Sequence, residues 1–188
     1  MQNADLEELT QHIQTGSNLS DEQIQLCADL LTSITVEDSP KKEFLVAWSR
    51  KGETRMELSS LVSAFRNKAI SPNLDDFRDR AIDLCGTGGD KAGSFNISTF
   101  VSFILAAGGV PVIKHGNRSI SSKCGSADLL EAIGIPLQAN SDILRAGLEE
   151  LNFAFLFAPA YHPAFKHIAS VRKSLAEDGI ISIFNLLG

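Results

Sequence analysis

The sequence has little cysteine, a shortage of positive charge and no long apolar run. Its three cysteines, Cys27, Cys85 and Cys124, are odd in number and widely spaced, with no CxxC pair and no Cys/His cluster. That excludes a disulfide scaffold, argues against a zinc site and suits a reducing, cytoplasmic setting. Lysine and arginine number 17 against 23 acidic residues, a formal net charge of −6. That balance argues against nucleic-acid binding through bulk positive charge, although it does not exclude a local basic site for a small anion. The longest apolar stretches, such as Phe153–Ala160, fall far short of a bilayer span. The opening residues MQNADLEELTQH carry acid and lack the basic and apolar regions of a signal peptide. Neither a P-loop nor a spaced GxGxxG occurs.

What is present is an ordinary globular composition, 44% apolar and 21% charged over 188 residues. Such a length holds one domain, or a small one with part of a larger one. Residues 1–71 read as a helical domain. A helix is expected at Asp5–Gln14, and Ser20 with Gln23 has capping-box spacing ahead of Ile24, Cys27, Leu30, Leu31 and Ile34. Ser39-Pro40 offers an N-cap followed by proline at the first helical position. Thr54 with Glu57 repeats the capping box before Leu58, Leu61, Val62 and Phe65. No titratable constellation falls here, so packing or dimerisation is the expected role.

From residue 72 to 188 short apolar runs alternate with glycine-rich turns and amphipathic stretches. Strands are expected at Ala81–Cys85, Val110–Lys114, Phe153–Phe157 and Ile180–Phe184. Helices are expected at about Asn96–Ala107, Ser126–Ile133, Ser141–Leu151 and His162–Leu175. This alternation implies parallel pairing through crossover helices, hence an α/β domain whose ligands gather at the carboxyl ends of the strands. The chain finishes directly after its last expected strand, which reads as an incomplete domain, cut short at the C-terminus.

Two loops at strand ends stand out. Gly86-Thr87-Gly88-Gly89-Asp90 can expose several N–H groups on one concave side, with a helix N-terminus following. Asn96, Ser98 and Thr99 in that helix's first turn can add donors to a phosphate. A glycine cluster of this kind equally suits a plain tight turn. The second loop, Lys114 to Ser126, holds three cations, one histidine and four hydroxyls in an acidic protein. A solvated polar loop could have this composition, but it suits a diphosphate, and two such loops at one sheet edge favour phosphate or diphosphate binding.

Gly86-Thr87-Gly88-Gly89-Asp90, Phe95-Asn96-Ile97-Ser98-Thr99 and Lys114-His115-Gly116-Asn117-Arg118, running on to Gly125-Ser126-Ala127-Asp128 and Leu130-Glu131, closely resemble anthranilate phosphoribosyltransferases. His162-Pro163-Ala164, Val171-Arg172 and Phe184-Asn185-Leu186-Leu187-Gly188 match as well. Pyrimidine-nucleoside phosphorylases share that family's fold, but the KHGNRS loop separates this chain from them. The resemblance implies a small N-terminal helical domain followed by an incomplete, mainly parallel α/β domain of the nucleoside phosphorylase/phosphoribosyltransferase type. It implies transfer of the phosphoribosyl group from phosphoribosyl pyrophosphate to anthranilate in tryptophan biosynthesis, in a homodimer joined through the helical domain. Gly86, Gly89, Asp90, Ser94, Asn96, Ile97, Ser98 and Thr99 would hold phosphoribosyl pyrophosphate, with Ser98 also a Mg2+ ligand. Lys114, His115, Gly116, Asn117, Arg118, Ser119, Ile120, Ser121, Ser122 and Ser126 would close over the same substrate. Gly86, Asn117 and Arg172 would contact anthranilate, Arg172 meeting its carboxylate. No general base is assigned.

The match has departures. The family's acidic Asp-Glu metal pair lies beyond Gly188, which implies that residues 1–188 alone do not turn over, and Ile181-Ser182 stands where the family has Arg-Thr. The alternatives are a truncated, inactive paralogue that binds phosphoribosyl pyrophosphate or a partner chain, and a related transferase using another aromatic amine.

Overall fold

The computed structural model of the protein describes residues 2–85, 95–118 and 124–186. In chain order its elements are α1 (Gln2–Gln14), α2 (Asp21–Thr32), α3 (Asp38–Lys51), α4 (Arg55–Asn67), α5 (Ile97–Ala107), β1 (Val112–Gly116), α6 (Ser126–Ala132), α7 (Ser141–Leu151), β2 (Phe153–Phe157), α8 (Ala158–Tyr161) and α9 (Ala169–Glu177). Short 3-10 turns occupy Asp75–Phe77, Pro163–Ile168 and Ile183–Asn185. Among the described residues no helix is long and apolar enough to cross a membrane. The chain divides into two compact units, Met1–Ala69 with His162–Gly188, and Ile70–Tyr161.

The first unit is helical. Both expected capping boxes form: Ser20 Oγ accepts from the Gln23 N–H and Thr54 Oγ1 from the Glu57 N–H, each reciprocated by the third residue's side chain. Ser39 is not the cap of α3. The helix starts at Asp38 after Glu37, and Ser39 Oγ donates to Glu43 instead (3.0 Å). Leu6 and Ile13 of α1, Ile24 and Leu31 of α2, Phe44 and Trp48 of α3 and Leu61 of α4 bury one apolar stripe each in a shared core.

That core also takes in Ile168, Val171, Leu175, Ile183 and Phe184. The stretch after residue 162, expected to continue the α/β domain, thus belongs to the helical unit. Polar contacts fasten it to α3. Lys41, buried, donates to Ser33 O (2.7 Å) and His167 O (3.2 Å), Lys42 pairs with Asp178 (2.6 Å), and Ser49 Oγ donates to Ile181 O (2.6 Å). The expected helix His162–Leu175 begins as the 3-10 turn and becomes α9 only at Ala169. The expected strand Ile180–Phe184 is absent, replaced by a turn in which Asn185 Oδ1 accepts the Ser182 N–H (2.9 Å). A strand would send Ile183 and Phe184 to opposite faces, whereas the turn buries both.

The second unit is built on two parallel strands, β1 and β2, in register Val112↔Phe153 to Gly116↔Phe157. Ile82 bridges to Val112, and its carbonyl accepts the Ile113 N–H (3.0 Å). Ala81–Cys85, expected as a full strand, pairs at Ile82 alone. Beyond it side chains replace the ladder: Asp83 Oδ1 takes the His115 N–H (3.1 Å), and Leu84 O accepts from Lys114 Nζ (2.9 Å). Both sheet faces are covered, as parallel sheets require. Val112, Phe153 and Phe155 pack with Ala106 of α5 and Ala127 and Leu130 of α6, while Ala154 packs with Leu144 and Leu148 of α7. Asn152, left-handed at φ 55, turns α7 directly into β2.

Glu57 links the α1–α2 and α3–α4 connections and the end of α3. Its carboxylate accepts from Leu19 N–H (2.9 Å), Thr54 N–H (2.8 Å) and Lys51 Nζ (2.9 Å). Burial alone would raise its pKa, but the Leu19 and Thr54 N–H groups and the Lys51 ammonium together hold it below the usual carboxylate range. Glu57→Ala is expected to cost about 3 kcal/mol in urea unfolding, the low end for breaking a buried pair, because Lys51 keeps Asn18 as a partner. The stabilisation is full above the unfolded carboxylate value and is lost as pH falls through the lower folded value. The midpoint gap between the native chain and the variant should therefore close in strong acid.

Candidate functional site

The chemistry-bearing residues of the second unit meet where β1 ends. Lys114 lies on β1 on the side of Val112, in register with Phe155, and is 1% exposed. Its ammonium donates to Leu84 O (2.9 Å), at the end of the Ile82 segment, and to Ser98 Oγ (3.2 Å), in the first turn of α5. Burial lowers its pKa, with Cys85 and Asp83 pulling the other way. A lysine has three donors, and both acceptors among the described residues are neutral.

The start of α5 faces this ammonium. Asn96 is its N-cap residue by position, but its side chain reaches across to Gly125 O (3.5 Å) rather than back to the helix. Thr99 is fully buried, and its hydroxyl has no hydrogen-bond partner among the described residues. Ile97 is exposed, and its N–H is taken by Phe95 O (2.6 Å). The first turn of a helix also carries the positive end of its dipole. A buried ammonium bonded to a half-buried serine at a helix start is a pair of donors suited to anionic oxygen.

Gly116 ends β1, where only glycine fits. A Cβ there would lie 2.3 Å from Ser126 Oγ and 3.0 Å from the Phe155 ring. The close approach lets Ser126, at the start of α6, donate to Asn117 O (3.3 Å), which also accepts the Ala127 N–H (3.2 Å). His115, half-buried, has its imidazole pushed below the ordinary value by burial, so it is neutral at pH 7. Arg118, at the protein surface, donates to Asp128 (3.0 Å) and pairs with Glu131 (2.8 Å).

Lys114, His115, Gly116, Asn117, Arg118 and Ser126 are thus gathered at the end of β1, with Asn96, Ser98 and Thr99 at the start of α5. Gly86, Gly89, Asp90, Ser94, Ser119, Ile120, Ser121 and Ser122 lie outside the described residues. Arg172 belongs to the helical unit, where it sits half-buried with its guanidinium 5.6 Å from the ring centres of both Phe165 and Phe184. Burial lowers its pKa. Ser98 offers a hard cation one neutral oxygen beside an ammonium, which fits a single ligand of an ion that keeps most of its waters. Among the described residues no three His, Cys, Asp or Glu side chains group as a metal site.

Three residues were given no role by sequence reasoning: Asp83, which holds the His115 backbone, and Asp128 and Glu131, which belong to the quoted motif and hold Arg118. Asp128 stands three residues after Gly125, the spacing of a helix-start carboxylate, and Glu131 stands one short turn further on the same face. That spacing was a usable signal. Nothing local to Asp83 showed that its carboxylate would hold the His115 N–H, a contact 32 residues away in sequence.

Comparison with known proteins places the chain in a family. Residues 78–188 match the glycosyl transferase family, a/b domain. The chain is 42% identical over 181 residues to an anthranilate phosphoribosyltransferase of Chlorobium phaeovibrioides, covering 96% of this chain and 50% of that one. It is 52% identical over 145 residues to that of Caldicellulosiruptor saccharolyticus, covering 77% and 42%. Among solved structures, anthranilate phosphoribosyltransferase from Thermus thermophilus superposes with a TM-score of 0.81 at 40% identity, over 96% of this chain and 53% of that one. The Saccharomyces cerevisiae enzyme in complex with phosphoribosyl pyrophosphate and Mg has the same fold, with a TM-score of 0.77 at 23% identity over 98% and 54%. The chain spans about half the length of the relatives it matches. With its strand-end site and a family match covering residues 78–188, the chain belongs to the glycosyl transferase family, a/b domain.

Proposed function

We propose that this chain forms the phosphoribosyl-pyrophosphate-holding part of an anthranilate phosphoribosyltransferase, the enzyme of tryptophan biosynthesis that makes N-(5-phosphoribosyl)anthranilate and pyrophosphate. The observation that carries this reading is the Lys114 ammonium, buried beside the first turn of α5 and bonded, among the described residues, to neutral oxygens only. A diphosphate supplies the charge that this ammonium lacks, and the Thr99 hydroxyl supplies a further donor. Gly86, Gly89, Asp90, Ser94, Asn96 and Ile97, with Ser119 to Ser122 and Ser126, complete the same substrate site in this reading. The relatives named above, alike over 77% to 98% of this chain, support it.

In the reaction the anthranilate nitrogen bonds to C1′ of the ribose as the C1′–oxygen bond breaks. The electron pair leaves with pyrophosphate and the amine proton passes to water. Lys114 holds the departing charge in a water-poor setting, where a fixed ammonium counts for most. Ser98 would hold Mg2+, which when bound neutralises the diphosphate. Asn117 and Gly86 would orient the amine, and Arg172, a planar fork, would meet the anthranilate carboxylate. Neutral His115 would line that approach. A second copy of the chain, joined through the helical unit, is the proposed partner, in the cytoplasm.

Lys114→Ala is expected to weaken binding of magnesium phosphoribosyl pyrophosphate by about 1.5–3 kcal/mol, the range for hydrogen bonds to charged groups. Calorimetric titration checks this, and unchanged affinity would remove the lysine from the site. The pH dependence has a definite sign. Lys114 must be protonated to hold the anion, and its folded pKa is lowered by burial. Affinity should therefore fall as pH rises through a value below the ordinary lysine pKa of about 10.4. Arg172→Ala should raise the KM for anthranilate far more than that for phosphoribosyl pyrophosphate in steady-state kinetics. Equal effects on both would make Arg172 a packing residue against Phe165 and Phe184.

A further inference from the structure

We propose that Arg118, Asp128 and Glu131 form a pin that joins the end of β1 to the start of α6, and that Arg118 is a positioning residue rather than a contact for the diphosphate. The part concerning the diphosphate rests on the transferase reading above; the pin itself does not.

The pin is visible in how one carboxylate is shared. Asp128 Oδ1 accepts from Arg118 Nη1 (3.0 Å), while its Oδ2 accepts from the Gly125 N–H (2.8 Å). A single side chain thus grips the chain at Arg118 and again at Gly125. Glu131, a turn along α6, takes the other arm of the guanidinium, Nη2, at 2.8 Å. Two backbone-level contacts cross at the same place, Ala127 N–H to Asn117 O and Ser126 Oγ to Asn117 O. Gly116 adds a third constraint, because its missing Cβ makes room for Ser126.

Charge decides between pin and ligand. Both arms of the guanidinium are already held by carboxylates, so a diphosphate could reach Arg118 only by displacing an ion pair. Lys114, 1% exposed and with neutral acceptors among the described residues, is the opposite case. Exposed ion pairs are individually weak. Here the same fork is held at both arms, and one of its partners also caps the next helix, so losing it loosens several contacts together. The consequence for function is that the pin fixes Asn117 and Ser126 relative to the end of β1.

The test is amide hydrogen exchange of Ala127, whose N–H crosses from α6 to Asn117, in the native chain, Arg118→Gln, Asp128→Asn and the double variant. Asn at 128 can still accept from Gly125, so the change is confined to the ion pair. Each single change should speed Ala127 exchange about fivefold, and the double variant should go no faster than the faster single one. Exchange at Phe155, in β2, should stay as in the native chain and so separates loosening of the pin from general unfolding. Glu131→Gln, the milder change, should speed Ala127 in the same direction. Ala127 exchange within about twofold of native in both single variants, or effects that multiply, would overturn the pin. Titration with magnesium phosphoribosyl pyrophosphate tests the second half. If Arg118 only positions, Arg118→Gln and Asp128→Asn weaken binding by the same factor. Tighter binding by Asp128→Asn with weaker binding by Arg118→Gln would make Arg118 a diphosphate contact and overturn the assignment. A native chain that binds none of this ligand would count against the transferase reading, while the exchange result would still decide the pin.

Discussion

A lysine whose ammonium is buried with no bonded carboxylate among the described residues is the constraint around which the second unit is arranged. Taking such a charge from water costs several kcal/mol unless it is paired. Lys114 recovers part of that cost from Leu84 O and Ser98 Oγ, both neutral. The bonds also hold the unit together, since they tie the Ile82 segment to β1 and β1 to the first turn of α5. What remains is an ammonium with no bonded carboxylate among the described residues, while in the first turn of α5 the Thr99 hydroxyl has no partner among them. An anion bound to that ammonium would supply charge of the opposite sign, which is why the proposed substrate site is centred on Lys114.

The packing around this lysine explains why it is held so firmly. Lys114 sits between Val112 and Gly116 on β1, and Val112 packs with Phe153, Phe155, Ala106 and Leu130. Gly116 lets Ser126 come close enough to bond the chain beyond β1, and the Arg118 fork closes the same junction from outside. Small and charged residues therefore divide the work. The apolar ones fix the strands, the glycine permits the approach, and the ion pairs hold it. In the helical unit the corresponding tasks fall to Glu57 and Lys41, which satisfy backbone groups at element ends from buried positions.

How much of this was legible in the sequence depended on how local the cause was. The capping boxes at Ser20 and Thr54 are four-residue patterns and formed as read. The helix Ser141–Leu151 and the strand Phe153–Phe157 are complete periodic segments, and both appear with those bounds. Ser39 misled because Glu37 occupies the N-cap two residues earlier. Ile180–Phe184 misled because its apolar run is equally compatible with a turn that buries two neighbours in a distant helical core. That core is a long-range fact, and so is the return of residues 162–186 to the helical unit. At the site, Lys114 and the hydroxyls of α5 were readable as residues suited to an anion. The partners of Arg118 were not assigned, because composition shows three cations in a loop but not that one of them is already matched by two acids on the next helix.

The central claim, that the Lys114 ammonium is the charge awaiting a diphosphate, can be observed directly at the nitrogen. Nitrogen-15 resonances of the lysine side chains, with Lys114 identified by its loss in Lys114→Arg, would be followed during titration with magnesium phosphoribosyl pyrophosphate. The Lys114 signal should move saturably with ligand, and its titration with alkali should shift to higher pH in the complex, because the anion stabilises the charged form. A Lys114 resonance unmoved at ligand concentrations that saturate the protein would place the anion elsewhere and contradict the account.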